Sequence, residues 1–384
     1  MSTIPDDISL YNIIPLLPSK TLIRFICTCK RWNTFIRQPS FLNLRKLTHN
    51  IIFLSPLGSS KPHIFSSPCH FDPHDNDVIL TPPRASSLLV SFPNLSFPKT
   101  RVQCVNGLLC VHPRGSVWLS SHVEAFTFIV NPTTRQVHPL PLDHSVERRE
   151  FMVSTHFGYD NVRGEFKVLR VFKYRARGSH DIKIFTLGCD ASWRRVSPGA
   201  SRELVESLLT RHWDKRGVCM NGVIYWTHGF ILLLFDVGPE EILATCAPPR
   251  SGYSLVSCKY PSLQYPDLIE MGGSLCLFRF RGNDLKLWFL KDHESAEWES
   301  KSVVLPPEVV PPEEVVFPLC RIQSGEILFL PYFVPTHVRG VLYDMERRTF
   351  RTLALMEMPH SLLPDPVSGQ LDMFYCQQSF MLLE

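Results

Sequence analysis

Apolar and polar positions change rhythm near residue 48, and the change divides the chain. Before it, hydrophobic residues recur at helical spacing. Leu22, Phe25, Ile26 and Cys29 fall at i, i+3, i+4 and i+7, one face of an α-helix. Ser19 stands at a natural N-cap for that helix, directly after Pro18, which stops the preceding one. The preceding helix is expected to open at Pro5, whose missing N–H costs nothing in a first turn, with Asp6 and Asp7 at the positive end of the dipole. Ile8, Tyr11 and residues 14–17 continue it. Trp32, Phe35 and Ile36 form a third apolar cluster, and Phe41, Leu42 and Leu44 begin a fourth short helix after Pro39. Ile23 and Cys27 make a second face of the second helix apolar as well. So small a unit does not satisfy two apolar faces by itself, which implies docking either to a partner or to the rest of the chain. Periodicity leaves both open.

Beyond residue 50 the pattern becomes one of short β-rich runs split by Gly, Pro, Asn and Asp. A turn residue and Gly lead into an apolar strand at Asn106-Gly107, Asn221-Gly222, Gly272-Gly273 and Ser324-Gly325, with the last three glycines 51 and 52 residues apart. The first interval, 115, is about two such periods, and its midpoint holds a strand pair formed by residues 157–160 and 165–172. Strands ending in a polar turn follow at residues 128–131, 233–236, 287–290 and 341–344, and closing strands carry Trp193, Trp298 or Phe350. A turn-led unit of four strands recurring near 50 residues predicts propeller blades, because one such sheet buries neither face alone. Five units lie between residues 101 and 355, and strands near 50–95 with the run 370–383 would close a sixth blade, joining the two ends. The expected class is therefore a helical N-terminal unit followed by an all-β, propeller-like domain of about six blades, with a β-sandwich as the alternative. The Pro- and Ser-rich stretches 55–98 and 305–318 read as loops.

Composition narrows the chemistry. With 44% hydrophobic and 11% aromatic residues, 26 of them Phe, the chain can fill a large core. A net charge of +4 with scattered charges does not indicate a nucleic-acid-binding face. The 12 cysteines sit singly, several in apolar runs, which suits a reducing compartment. Residues 1–7 lack a signal peptide's basic and apolar regions, and no apolar run has the length of a membrane span, so a cytoplasmic or nuclear location is expected without membrane association. Without secretion, the sequon Asn94-Leu95-Ser96 is expected to arise by chance. Cys69, His70 and His74, with Asp72, Asp75 and Asp77, have the residue types of metal ligands but no second close Cys/His pair, so they read as a polar loop. No phosphate-binding loop, dinucleotide-type glycine loop or nucleophile elbow is present. Neither metal, cofactor nor catalytic residues are expected.

The N-terminal run Ile4-Pro5-x-Asp7-Ile8, Ile13, Leu17-Pro18-x-Lys20-x-Leu22-Ile23-Arg24-Phe25, Cys29-Lys30-x-Trp32, Ile36 and Phe41 closely resembles the F-box of plant F-box proteins. The remainder is similar to the plant F-box-associated domain through Asn106-Gly107-Leu108-Leu109-Cys110, Asn131-Pro132-Thr133-Thr134-Arg135, Phe157-Gly158-Tyr159-Asp160 and Asn221-Gly222-x-x-Tyr225-Trp226, in the family's order. Two departures are mild: Asn43-Leu44-Arg45 lacks the His that often follows the F-box Phe, and Ile4 replaces the commoner Leu. The resemblance implies a helical F-box at 1–48 and an F-box-associated propeller-like domain at 49–384. It implies a substrate receptor of a Skp–cullin–F-box ubiquitin ligase, joined through a Skp-type adaptor to cullin and a RING subunit, with an unknown target protein. It carries adaptor binding onto Pro5, Ile8, Leu17, Pro18, Leu22, Phe25, Cys29 and Trp32. Target contacts are expected on one rim, where loops converge, with Arg135, Arg211, Trp213 and His228 as candidates. Rival readings are an enzyme built on a propeller and a non-degradative regulator that binds the Skp subunit alone.

Overall fold

The computed structural model of the chain describes residues 8–17, 19–38, 41, 49–57, 61–72, 77–80, 88–91, 100–113, 119, 126–144, 151–174, 180–196, 217–228, 231–243, 267–281, 284–292, 295–310, 316–322, 325–331, 337–338, 340–352, 356–357, 372–376, 379, 381 and 383. The N-terminal unit is helical. It opens with a π-turn at Ile8–Ile13 that tightens into a 3₁₀ turn at Ile14–Leu16, so the first element is irregular where a plain α-helix was expected. Helices α1 (Ser19–Thr28) and α2 (Lys30–Ile36) follow. Cys29, expected on the apolar face of the second helix, instead takes extended backbone between them, at φ −142° and ψ 123°. Ile14, Leu22, Ile26, Phe35, Ile36 and Phe41 form the unit's core. Leu42 and Leu44 of the expected fourth helix lie outside the described residues.

The rest is antiparallel β-structure. The first sheet contains β1 (His49–Leu57), β2 (Lys61–Asp72), β3 (Asp77–Leu80) and β4 (Leu88–Ser91). Four-stranded blades then follow in chain order. The first holds β5 (Thr100–Val105), β6 (Leu108–Pro113), β7 (Phe128–Asn131) and β8 (Gln136–Pro139). The second holds β9 (Phe151–Asp160), β10 (Glu165–Tyr174), β11 (His180–Thr186) and β12 (Arg194–Arg195). The third holds β13 (Gly217–Met220), β14 (Val223–His228), β15 (Ile231–Asp236) and β16 (Glu241–Ile242). The fourth holds β17 (Asp267–Glu270), β18 (Leu275–Arg281), β19 (Asp284–Asp292) and β20 (Glu297–Val304). In the fifth, β21 (Val316–Arg321) and β22 (Ile327–Pro331) pair on to β24 (Val341–Asp344) and β25 (Thr349–Thr352), while β23 (His337–Val338) pairs with β26 (Met356–Glu357). Strand β27 (Asp372–Cys376) returns to pair with β1, from Asn50 opposite Cys376 to Leu54 opposite Asp372.

The leading strands β5, β9, β13, β17 and β21 touch one another in sequence, and β27 touches both β5 and β21. Sheets arranged in this way make a propeller, not a sandwich. The stretch 55–98, read as loop although strands were also expected near 50–95, carries the end of β1 and all of β2 to β4, and β21 begins within the expected loop at 305–318. Proline is compatible with these strands for a local reason. In β2, residues 63–65 face β4 and residues 69–72 face β3, so Pro68 falls in a short interval whose ladder partner is β1 alone.

Two turn types recur because each solves a backbone problem. Asn106-Gly107 and Asn221-Gly222 both have positive φ at both residues (44° and 81°, 52° and 81°), the two-residue hairpin that suits right-twisted strands. A second turn begins at Asn131, Asp160, Asp236, Asp292 and Asp344, whose side-chain oxygens accept backbone N–H groups two or three residues on. Four residues after each, the backbone is left-handed, at Arg135, Gly164, Glu240, Ala296 and Arg348. The side chain supplies acceptors that the turn's own carbonyls cannot, which holds non-glycine residues in this conformation.

Blades approach most closely where β9 meets the third blade. A Cβ at Gly217 would lie 2.6 Å from His156 Nδ1, and one at Gly158 would lie 2.7 Å from Ile224 Cδ1. Gly217→Ala is therefore expected to cost about 1–3 kcal/mol by overpacking. Gly238→Ala, where the nearest atom would be at 3.5 Å, should stay within about 0.5 kcal/mol. Urea unfolding of both variants followed by tryptophan fluorescence checks the contrast.

Candidate functional site: an apolar helical face and a loop-bearing rim

The helical unit leaves apolar surface that its own core does not use. Tyr11, Ile13 and Leu16 are 53%, 40% and 73% exposed, although Tyr11 also meets Phe35 edge-on at 5.2 Å. Phe25 and Trp32 stack at 4.5 Å, and both are half-buried, as are Leu17 and Cys29. Leu22 is fully enclosed in the core and reaches no surface. Ile8 lies in the π-turn, and Pro5 and Pro18 lie outside the described residues. The geometry thus brings Leu17, Phe25 and Trp32, with Ile23, to the periphery of one small core, leaves Cys29 half-buried between the helices and keeps Leu22 inside the core. Sequence reading missed Ile13 and Leu16 as exposed positions. The run at 13–17 is apolar throughout, so spacing does not say which residue faces out; in the structure Ile14 turns inward and Leu16 outward.

On the propeller, the up-and-down course of each blade separates two kinds of connection. First-to-second and third-to-fourth turns leave from one end of the strands, and the short Asn-Gly and Asx turns are among these. The long connections 114–127, 140–150, 196–216, 243–266 and 353–371 join strands at the other end. Arg135 is exposed at the left-handed position of a short turn, hence at the first end. His228 closes β14 opposite Ile231, at the second end. Arg211 and Trp213 lie outside the described residues, within the connection 196–216. Arg135 and His228 therefore do not share a rim.

The seams between blades carry polar groups that belong to interiors. Between the first and second blades, Gln103 donates from Nε2 to the Thr155 carbonyl at 2.8 Å and accepts the Phe157 N–H at 2.7 Å, closing β5 on β9 through one side chain. Lys183 Nζ lies 2.6 Å from Asp143 Oδ2, with both side chains buried, and the Arg170 guanidinium lies 3.9 Å over the Trp193 ring while donating to Thr127 Oγ1 at 2.7 Å. Trp193 Nε1 donates to the Pro141 carbonyl at 2.7 Å. Between the second and third blades, Lys167 Nζ donates to the Val237 carbonyl and reaches Glu240 Oε1 at 2.9 Å, and Arg194 Nη1 and Nη2 grip the same carboxylate. Glu240 is held below the ordinary carboxylate range by Arg194 and Lys167, which outweigh its desolvation.

His156 marks the tightest point. Its ring stacks on Trp226 at 4.7 Å, and Nε2 sits 2.9 Å from Ser154 Oγ. Burial, then the nearby His112 and Arg101, push its pKa down to about 3. Among the described residues no group of three or more His, Cys, Asp and Glu side chains has the disposition of a metal site, and no helix is long and apolar enough to cross a membrane. Cys69, His70 and Asp72 lie in β2, opposite Leu80, Ile79 and Asp77 of β3, while His74 and Asp75 lie outside the described residues.

Blades closed by such seams define a β-propeller protein. Residues 51–377 match the F-box associated beta propeller domain, and the chain belongs to that family. Its relatives include two putative F-box proteins of Arabidopsis thaliana. One is 27% identical over 91% of this chain and 84% of its own length, and the other is 28% identical over 78% of each. Among solved structures, the periplasmic gluconolactonase of Pseudomonas aeruginosa covers 86% of this chain and 96% of its own at 11% identity and a TM-score of 0.42.

The depressed His156 predicts a pH dependence with a definite sign. The unfolded imidazole takes up a proton below about 6.5, whereas the folded one stays neutral down to about 3. The unfolded state binds more protons across that window, so this contribution is complete above the upper value and is lost as pH falls through it. Denaturation of the wild type between pH 7 and 5 should show a slope of up to about 1.4 kcal/mol per pH unit from this group, and His156→Gln should remove it.

Proposed function

We propose that this chain is a substrate receptor of a Skp–cullin–F-box ubiquitin ligase. Residues 1–48 form an F-box that docks a Skp-type adaptor, through it reaching cullin and a RING subunit, and residues 49–384 bind a target protein. The observation that carries the proposal is the unused apolar surface of the helical unit, where Leu16, Ile13 and Tyr11 stand open beside the stacked Phe25–Trp32 pair. Water-exposed aromatic and aliphatic anchors on short helices suit a helix-in-groove contact. The F-box names of the relatives, which align over most of the chain, support the same reading.

Within the docking face, Leu17, Phe25, Cys29 and Trp32 would touch the adaptor together with Leu16, with Pro5, Ile8 and Pro18 at its margin. Leu22 would hold the face in shape from inside. The sheet of β27 with β1 to β4 would complete the ring as a sixth blade, a reading supported by the contacts of β27 with β5 and β21. Target contacts would fall at the end of the propeller that carries the long connections, which includes His228 and the connection holding Arg211 and Trp213, and leaves Arg135 on the far rim. The chain would contribute proximity and no chemistry: it would raise the local concentration of target lysines at a ubiquitin-charged enzyme held elsewhere. The cytoplasm and the nucleus are the compartments proposed for this work.

Co-expression of the tagged chain with a Skp-type adaptor tests the docking face. Leu16→Asp combined with Phe25→Asp should reduce adaptor recovery at least about tenfold, the equivalent of about 1.4 kcal/mol at an apolar hot spot. The thermal transition of the propeller should stay in place. Undiminished recovery would overturn the assignment.

A further inference from the structure

The motif Asn131-Pro132-Thr133-Thr134, which the blade architecture does not by itself require, holds a second segment of the chain. Asn131 is fully buried and uses both ends of its amide. Its Oδ1 accepts the N–H groups of Thr133 and Thr134 and so shapes the turn, while its Nδ2 donates to the carbonyls of Ser379 at 3.1 Å and Met381 at 2.7 Å. Thr133 Oγ1 accepts the Ser379 N–H at 3.1 Å. Gln136 Oε1 accepts the Leu383 N–H at 3.1 Å, and Gln136 Nε2 donates to the Leu383 carbonyl at 3.5 Å. Every one of these contacts falls on the backbone of residues 379, 381 and 383. Among the described residues of this segment, Met381 and Leu383 add side-chain contacts, packing against the apolar cluster that includes Val105, Leu108, Cys110 and Ile129.

We propose that the edge of the first blade formed by Asn131, Thr133 and Gln136 is a binding site for an extended peptide with apolar residues two positions apart, and that Ser379, Met381 and Leu383 occupy it as parts of an internal strap. Side-chain amides that pair with alternate peptide groups reproduce the ladder of a sheet edge without offering a strand, so they read chain direction and spacing in preference to sequence. The strap lies just past residue 377, where the match to the propeller family ends. The ring is thus held twice on one side, by the pairing of β27 with β1 and by this side-chain clasp onto the neighbouring blade.

A chain ending at residue 377 and a fluorescent peptide of residues 377–384 test the site. The shortened chain should bind the peptide saturably, and the full chain, whose site is filled, should bind it at least about thirtyfold more weakly. Gln136→Ala in the shortened chain should weaken binding about tenfold, and so should N-methylation of the peptide at the Leu383 amide, which removes one donor while leaving every side chain. If the shortened chain does not fold, a protease site placed between residues 376 and 379 of the full chain replaces it. Cleavage after folding should then let the labelled peptide exchange in. Equal binding by full and shortened chains, no exchange after cleavage, or indifference to both Gln136→Ala and N-methylation would overturn the proposal.

Discussion

A propeller blade is a sheet with two apolar faces and no means of covering either, so every blade here depends on the closeness of its neighbours. The leading strands fix that closeness. Gly158 and Gly217 leave the room that the side chains of Ile224, Val237 and His156 take up, and the His156 ring stacks against Trp226. Once the strands are this near, water has no room in the seam, and the polar groups caught there must be satisfied by protein. Gln103 does this between β5 and β9, and Lys183 and Asp143 do it farther out on the same seam. A buried ion pair of this kind adds little net stability over a hydrophobic pair, but it strongly disfavours any packing in which one partner is left behind. The seams therefore specify which blade faces which more than they strengthen the ring.

Much of the repeat was legible because its turns are chemically demanding. Only a few residues tolerate left-handed backbone, so Asn106-Gly107 and Asn221-Gly222 announce their hairpins, and the polar residues ending β7 and β24 sit where a side-chain acceptor is needed. The helical periodicity of Leu22 and Ile26 likewise located a core that the fold contains. The seams were not legible. Lys183, Arg170 and Lys167 are charged residues on strands whose two faces are both apolar, so alternation says nothing of their partners, and the neighbouring blades make them interior. The strands within 55–98 were obscured by prolines whose tolerance depends on which neighbours β2 has at each residue, a long-range property. At the candidate site, Phe25 and Trp32 were named through the F-box resemblance, but Leu16 was not, because an unbroken apolar run at 13–17 gives no sign of which residue faces out.

The molecule divides its surface by the kind of backbone each end contains. One end of the propeller is built from turns of two to seven residues, several of them held by side-chain acceptors, which leaves few degrees of freedom for adapting to a partner. The other gathers connections of ten residues and more on the same rigid strands. A framework that confines variation to one end can change what it meets there without disturbing its seams, which is the general advantage of carrying recognition on loops.

The pairing of β27 with β1 has a consequence for the birth of the protein. Asn50 waits for Cys376, 326 residues later in the chain. At ordinary rates of synthesis that interval is on the order of 20–60 s. Throughout it, the side of β1 that will receive β27 presents unpaired backbone donors and acceptors, the template on which strands of other chains add themselves. Such distant contacts also slow folding after release, because loop closure precedes any reward from pairing. The same closure that secures the finished ring makes the nascent chain a client for whatever shields open sheet edges during translation.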